Sequence, residues 1–138
     1  MRKAKLLTGV VLSTLLAGCA ATPFDVAGTA APLELRSVQT REYDHLDKTL
    51  TMRAVIATLQ DFGFTIDQAD TGLGIVTGTR AHSKDMRMTV TVVQKTMDTV
   101  SIRASARVGE ESITEAETYQ DFFVALDKAM FLVRNNVN

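Results

Sequence analysis

Val100-Ser101-Ile102-Arg103-Ala104-Ser105-Ala106-Arg107-Val108 is the run on which the fold turns. Val100, Ile102, Ala104, Ala106 and Val108 alternate with Ser101, Arg103, Ser105 and Arg107. A side-chain period of two puts the first set on one face of a strand and the second on the other. One face is apolar and one is wet, the pattern of an antiparallel sheet covered on a single side. Residues 87–94 repeat it, with Met88, Val90 and Val92 against Arg87, Thr89 and Thr91. A short polar loop around Met97 and Asp98 joins the two runs, which predicts an antiparallel hairpin.

Upstream, in residues 47–62, Met52, Val55, Ile56, Leu59 and Phe62 recur at helical spacing and mark one face of an amphipathic helix. Gly63 is placed to take the left-handed position that ends it, with Phe64 returning onto Leu59 in a Schellman arrangement. Residues 64–67 and 73–79 read as extended, and residues 33–43 as a weak strand. Residues 118–134 carry Tyr119, Phe122, Phe123, Leu126, Met130 and Val133, a wide apolar stripe that predicts a helix buried against the sheet. Thr114 with Glu117 forms a candidate capping box that would start this helix a turn earlier. The order is read as β-α-β-β-β-α. The expected fold is α+β: a two-layer sandwich in residues 33–138, an antiparallel sheet with two helices on one face and the other face open.

The chain has 138 residues, 46% hydrophobic and 22% charged, which are values for one globular domain. Residues 1–18 begin with Arg2, Lys3 and Lys5, continue as an apolar run from Leu6 to Ala17, and end in small residues. That is the layout of a secretory signal, and a run of about 12 residues is short of the roughly 20 that span a bilayer. Leu16-Ala17-Gly18-Cys19 resembles the lipobox of bacterial lipoproteins at all four positions. The resemblance implies cleavage before Cys19 and acyl chains on it, and each buried CH₂ contributes about 0.8 kcal/mol to membrane anchoring. Ala20, rather than Asp, follows the cysteine, which implies the outer membrane in the Gram-negative sorting rule. Cys19 is the single cysteine, so no intramolecular disulfide can form. Residues 19–32 are rich in Ala, Thr, Pro and Gly and read as a lipidated flexible tether of about 40 Å at full extension. Without the basic leader, 12 basic residues face 16 acidic ones, a formal charge of −4. That balance argues against a nucleic-acid partner, whose binding rests on a basic surplus.

Few groups suggest chemistry. Gly72, Gly74 and Gly78 lead into a strand rather than a helix, so a phosphate loop is not expected. His45 and His82 have no partner at ligand spacing, so no metal is expected, nor any cofactor. No activated nucleophile is evident, and no catalytic residue is assigned. Asp61, Asp67 and Asp70 cluster around a helix-turn-strand junction, where capping explains them. The constellation that stands out is the wet sheet face, where Arg87, Thr89, Thr91, Ser101, Arg103, Ser105 and Arg107 point outward in an otherwise acidic domain.

Leu59-Gln60-Asp61-Phe62-Gly63-Phe64-Thr65-Ile66-Asp67, with Ala69-Asp70, Leu73-Gly74, Val76-Thr77, Phe122-Phe123 and Leu126-Asp127-Lys128, resembles a set of small proteobacterial lipoproteins across residues 41–132. The layout also resembles the helix-grip domains of the outer-membrane assembly lipoprotein BamC, a likeness of fold that carries no function. The expectation is a lipid-anchored, non-enzymatic binding or scaffold module at the periplasmic face of the outer membrane, with an envelope protein or an anionic glycan as partner. Two alternatives stand beside it: a glycan hydrolase using Asp61, Asp67 or Asp70, and a structural lipoprotein with no specific partner.

Overall fold

A computed structural model describes residues 27–81 and 83–135 of the chain. Helix α1 spans Ala27–Gln39, strand β1 Thr40–Asp44, and helix α2 Lys48–Asp61. Strands β2 (Thr65–Asp70), β3 (Ile75–Arg80), β4 (Met86–Gln94), β5 (Thr99–Val108) and β6 (Glu111–Ser112) follow, and helix α3 runs over Ala116–Asn135. The strands form one antiparallel sheet in the order β1-β5-β4-β3-β2, with the short β6 also on β5. The fold is therefore the expected α+β sandwich with an antiparallel sheet.

Helix α2 forms where the periodicity places it, and its ends explain why. Asp47 caps the start, its carboxylate accepting from the Thr49 and Leu50 amides. At the other end Gly63 lies at φ +78°, its N–H donating to Gln60 O and that of Phe64 to Leu59 O, each at 2.9 Å. These two bonds are the Schellman pair, and they turn the chain straight into β2. The buried stripe is broader than the apolar pattern: Thr51, Ala54 and Thr58 are as enclosed as Val55 and Leu59. The two threonines meet burial by donating back to Asp47 O and Ala54 O.

The core lies between the sheet and the α2–α3 layer. From β4 come Met86, Met88, Val90 and Val92, from β5 Val100, Ile102, Ala104 and Ala106, and from α3 Tyr119, Phe122, Phe123, Leu126 and Met130. Tyr119 is completely buried, and its hydroxyl donates to Ile113 O at 2.6 Å while accepting from the Ala106 amide at 3.3 Å. It thereby ties α3 to the corner between β5 and β6.

Four expectations need correction. Residues 33–39 are helical rather than extended, and the strand is confined to Thr40–Asp44. The helix begins at Ala27, so residues 27–32, read as part of the tether, are helical. Local composition hid α1 because its stability is tertiary: it packs against α3, with Leu35 and Val38 joining the core and Gln39 buried. The element order also counts two strands and one helix too few, since all four extended segments after α2 form strands, β6 adds another, and α1 precedes β1. At α3 the capping box is not made. The helix starts at Ala116, and the Thr114 amide donates to Glu115 Oε2.

Candidate functional site

Strand register builds the open face row by row. On β4 and β5, Arg87 lies opposite Arg107, Thr89 opposite Ser105, Thr91 opposite Arg103, and Val93 opposite Ser101. Directly opposed residues of an antiparallel pair share a face, so all the polar residues read from the two alternations come together. Arg87, Arg103, Ser105 and Arg107 are exposed, and Thr89, Thr91 and Ser101 are half-buried between their neighbours. The opposite face of the same strands holds Met88, Val90, Val92, Ile102, Ala104 and Ala106, all enclosed.

The face extends beyond those two strands. Thr77 and Thr79 of β3 stand opposite Thr89 and Arg87, and Thr77 Oγ1 lies 3.3 Å from Thr89 Oγ1. On the far side of β5, Ser112 pairs with Arg107, Thr40 with Arg103, and Glu42 with Ser101. Thr77 and Thr79 carried a readable signal, since they alternate with Val76 and Gly78. Ser112 carried none, because a two-residue strand has no period.

Charge on this face is unevenly matched. Glu42 pairs with Lys95 at 3.3 Å, and Asp44 accepts from Thr99 Oγ1 at 3.0 Å. Among the described residues, Arg87, Arg103 and Arg107 enter no ion pair. Arg87 has only an indirect link to a carboxylate: its Nε donates to Thr79 Oγ1 at 3.5 Å, and Thr79 Oγ1 donates to Asp67 Oδ2 at 2.6 Å. Arg87, Thr89, Ser105, Ala106, Arg107 and Ser112 line a half-open cleft of about 360 Å³. The lining holds two cations and three hydroxyls, and no carboxylate.

The carboxylates considered for acid-base work have local occupations. Asp70 Oδ1 accepts from the Leu73 amide at 2.8 Å and closes the turn into β3, Asp67 accepts from Thr79, and Asp61 is exposed at the last residue of α2. Glu115 and Asp121 share a different cleft, beside Arg80, whose guanidinium stacks on Phe64 at 5.1 Å. His45 sits exposed at φ +59° in the turn before α2, and His82 lies outside the described residues. Among the described residues, no three His, Cys, Asp or Glu side chains gather as a metal site would require. Cys19 and the signal segment also lie outside the described residues, and no described helix is long and apolar enough to cross a membrane. No protein-family model matches this chain, and no curated protein matches it either.

Proposed function

We propose that the chain is a lipid-anchored envelope protein that uses its open sheet face to hold an anionic partner without transforming it. The observation that carries this reading is the register of β4 on β5. Like charges set directly opposite on a sheet cost stability, yet Arg87 faces Arg107 on a solvent-exposed surface with no ion-pair partner among the described residues. An acidic ligand offsets that repulsion, and the acidic balance of the rest of the domain confines the attraction to this surface.

The anchor part of the proposal rests on Leu16-Ala17-Gly18-Cys19 after an apolar run. With α1 beginning at Ala27, the eight steps from Cys19 span at most about 27 Å. An acylated Cys19 therefore holds the domain nearer the headgroups than a tether reaching Pro32 would, and the partner is one found close to a membrane surface. The proposed site is the outer membrane of a Gram-negative envelope, on its periplasmic face.

The test is a double substitution, Arg103→Ser with Arg107→Ser. Exposed guanidiniums contribute little to folding, so stability should change by no more than about 1 kcal/mol. Binding to an anionic envelope glycan should weaken by about 2 to 4 kcal/mol, and its salt dependence should flatten. Unchanged glycan binding by a folded double variant sinks the proposal and leaves the face as solvated sheet.

A further inference from the structure

We infer that the cleft between Arg87 and Arg107 is a site for a phosphomonoester dianion, an inference that rests on reading the open face as a binding surface and names its ligand class. The cleft sits in the row that runs from Ser112 of β6 through Arg107 and Arg87 to Thr79 of β3. Thr89 and Ser105, directly opposed in the next row, complete the lining.

The donor set selects the ligand. Each guanidinium offers five N–H donors and no acceptor, and Thr89, Ser105 and Ser112 each add a hydroxyl, that of Ser105 resting on Thr89 O at 3.4 Å and that of Thr89 lying 3.3 Å from Thr77 Oγ1. A neutral sugar needs acceptors for its own hydroxyl protons, and this lining offers only three hydroxyl oxygens, with no carboxylate or amide side chain beside them. A cation meets two like charges. An acceptor-rich anion satisfies the set. A carboxylate presents two oxygens and a single charge, so with one guanidinium neutralised the charge of the second arginine would stay unmatched. A phosphomonoester at neutral pH carries about two charges on three oxygens, enough to take a fork from each side.

Arg87 is positioned on its β3 side. Its Nε donates to Thr79 Oγ1 at 3.5 Å, Thr79 is itself held by Asp67, and the two terminal nitrogens have no hydrogen-bond partner among the described residues. Asp67 stands at the far end of this row, beyond Thr79, and the other carboxylates of the face lie away from it: Glu42 and Asp44 toward the other end of β5, and Asp70 on the β2 edge. A continuous polyanion laid along β5 would meet Glu42 and Asp44. A terminal phosphoryl group enters at the Arg107 end and avoids both.

The test is amide chemical-shift titration of the full chain in zwitterionic detergent, with methyl phosphate and dimethyl phosphate as probes at one pH and ionic strength. Methyl phosphate should shift the amides of Arg87, Thr89, Ser105, Arg107 and Ser112 saturably, and bind at least about tenfold tighter than the monoanionic diester. Arg87→Gln and Arg107→Gln should each weaken it about tenfold, while Arg53→Gln, on the outer side of α2, leaves it unchanged. Arg107→Lys keeps the charge without the fork and should fall between, which guards against a folding defect. Two further arms separate the sources of such a group: glucose 1-phosphate in solution, and phosphatidylcholine vesicles bearing phosphatidic acid. Saturable shifts in either arm support the site and identify its source. Equal affinity for the monoester and the diester, or shifts as large at Arg36 and Arg53 as in the cleft, overturns it. Loss of glycan binding in the Arg103/Arg107 double variant, with no response to methyl phosphate, overturns this inference and leaves the proposed binding face standing.

Discussion

Tyr43 and Gly74 show how much single positions carry. Tyr43 lies on the covered face of β1, where its hydroxyl donates to Asp127 Oδ1 at 2.6 Å and Arg41 Nη1 donates to Oδ2 at 3.1 Å. The same Arg41 guanidinium stacks 4.9 Å from the Phe123 ring centroid, so strand and helix are clasped by charge and by aromatic contact together. Burial first, then the bond to Asp127 and its negative charge, push the Tyr43 phenol above its ordinary value of 10.0, against the opposing pull of Arg41. The folded state therefore keeps a proton that the unfolded chain gives up near pH 10, so stability is intact below that pH and falls as pH rises above it. A phenolate absorbance titration, with Tyr43→Phe subtracted, should place this ionisation above the ordinary range. Asp127→Asn should bring it down, and an unchanged titration would show that the carboxylate has no part in it. Gly74 presents a backbone constraint instead. It lies at φ +75°, accepts from the Val92 amide at 2.7 Å, and has no room for a Cβ against Val92 O. Gly74→Ala should cost about 2 to 4 kcal/mol in denaturant unfolding, since left-handed strain and a backbone collision add.

Among the elements, the β4–β5 hairpin is the one that others lean on. Gln94, at the end of β4, has its Nε2 directed at Thr96 O (2.7 Å) in the hairpin loop, at Thr99 O (3.3 Å) at the start of β5, and at Leu46 O (3.4 Å) in the β1–α2 turn. Its Oε1 accepts from the Lys48 amide at 3.1 Å, and the Leu46 amide donates to Asp98 O at 3.2 Å. One side chain thus joins the hairpin loop to the start of α2. Gln94→Ala leaves several of these groups without partners and should cost about 2 kcal/mol. Hydrogen exchange should show residues 95–99 and Leu46 losing protection well before the centre of β5, as a local opening. Uniform loss across the sheet would mean that the loop and the sheet open as one unit.

For the whole molecule, the arrangement proposed is a sandwich held near a membrane by its own N-terminus, with the helical layer on one side and the arginine-bearing sheet on the other. Cys19→Ser tests the tether directly. Expressed in a Gram-negative host, the unaltered chain should lose residues 1–18 and gain acyl mass, and should incorporate labelled palmitate. The variant should stay at precursor mass without label. Cleavage before residue 19 in the variant would overturn the lipobox reading.

Several features were legible in the sequence because each depends on neighbours along the chain. The alternation in residues 87–94 and 100–108 determined which side chains share a face, since parity along a strand is fixed by backbone geometry. The spacing from Met52 to Phe62, with Gly63 after it, determined α2 and its left-handed stop. Other features had no local signal. Helix α1 is stabilised by contact with α3, and its first six residues, all alanine, glycine, threonine or proline, do not announce a helix. The burial of Thr51 and Thr58 depends on how α2 packs against α3 and the sheet, and Ser112 reaches the cleft through a strand of only two residues. Above all, alternation says that Arg87 and Arg107 point outward but not that they meet. Their meeting depends on the register of β4 against β5, which is set by the length of the intervening loop and by the packing of Met88, Val90, Ile102 and Ala104 beneath the helices.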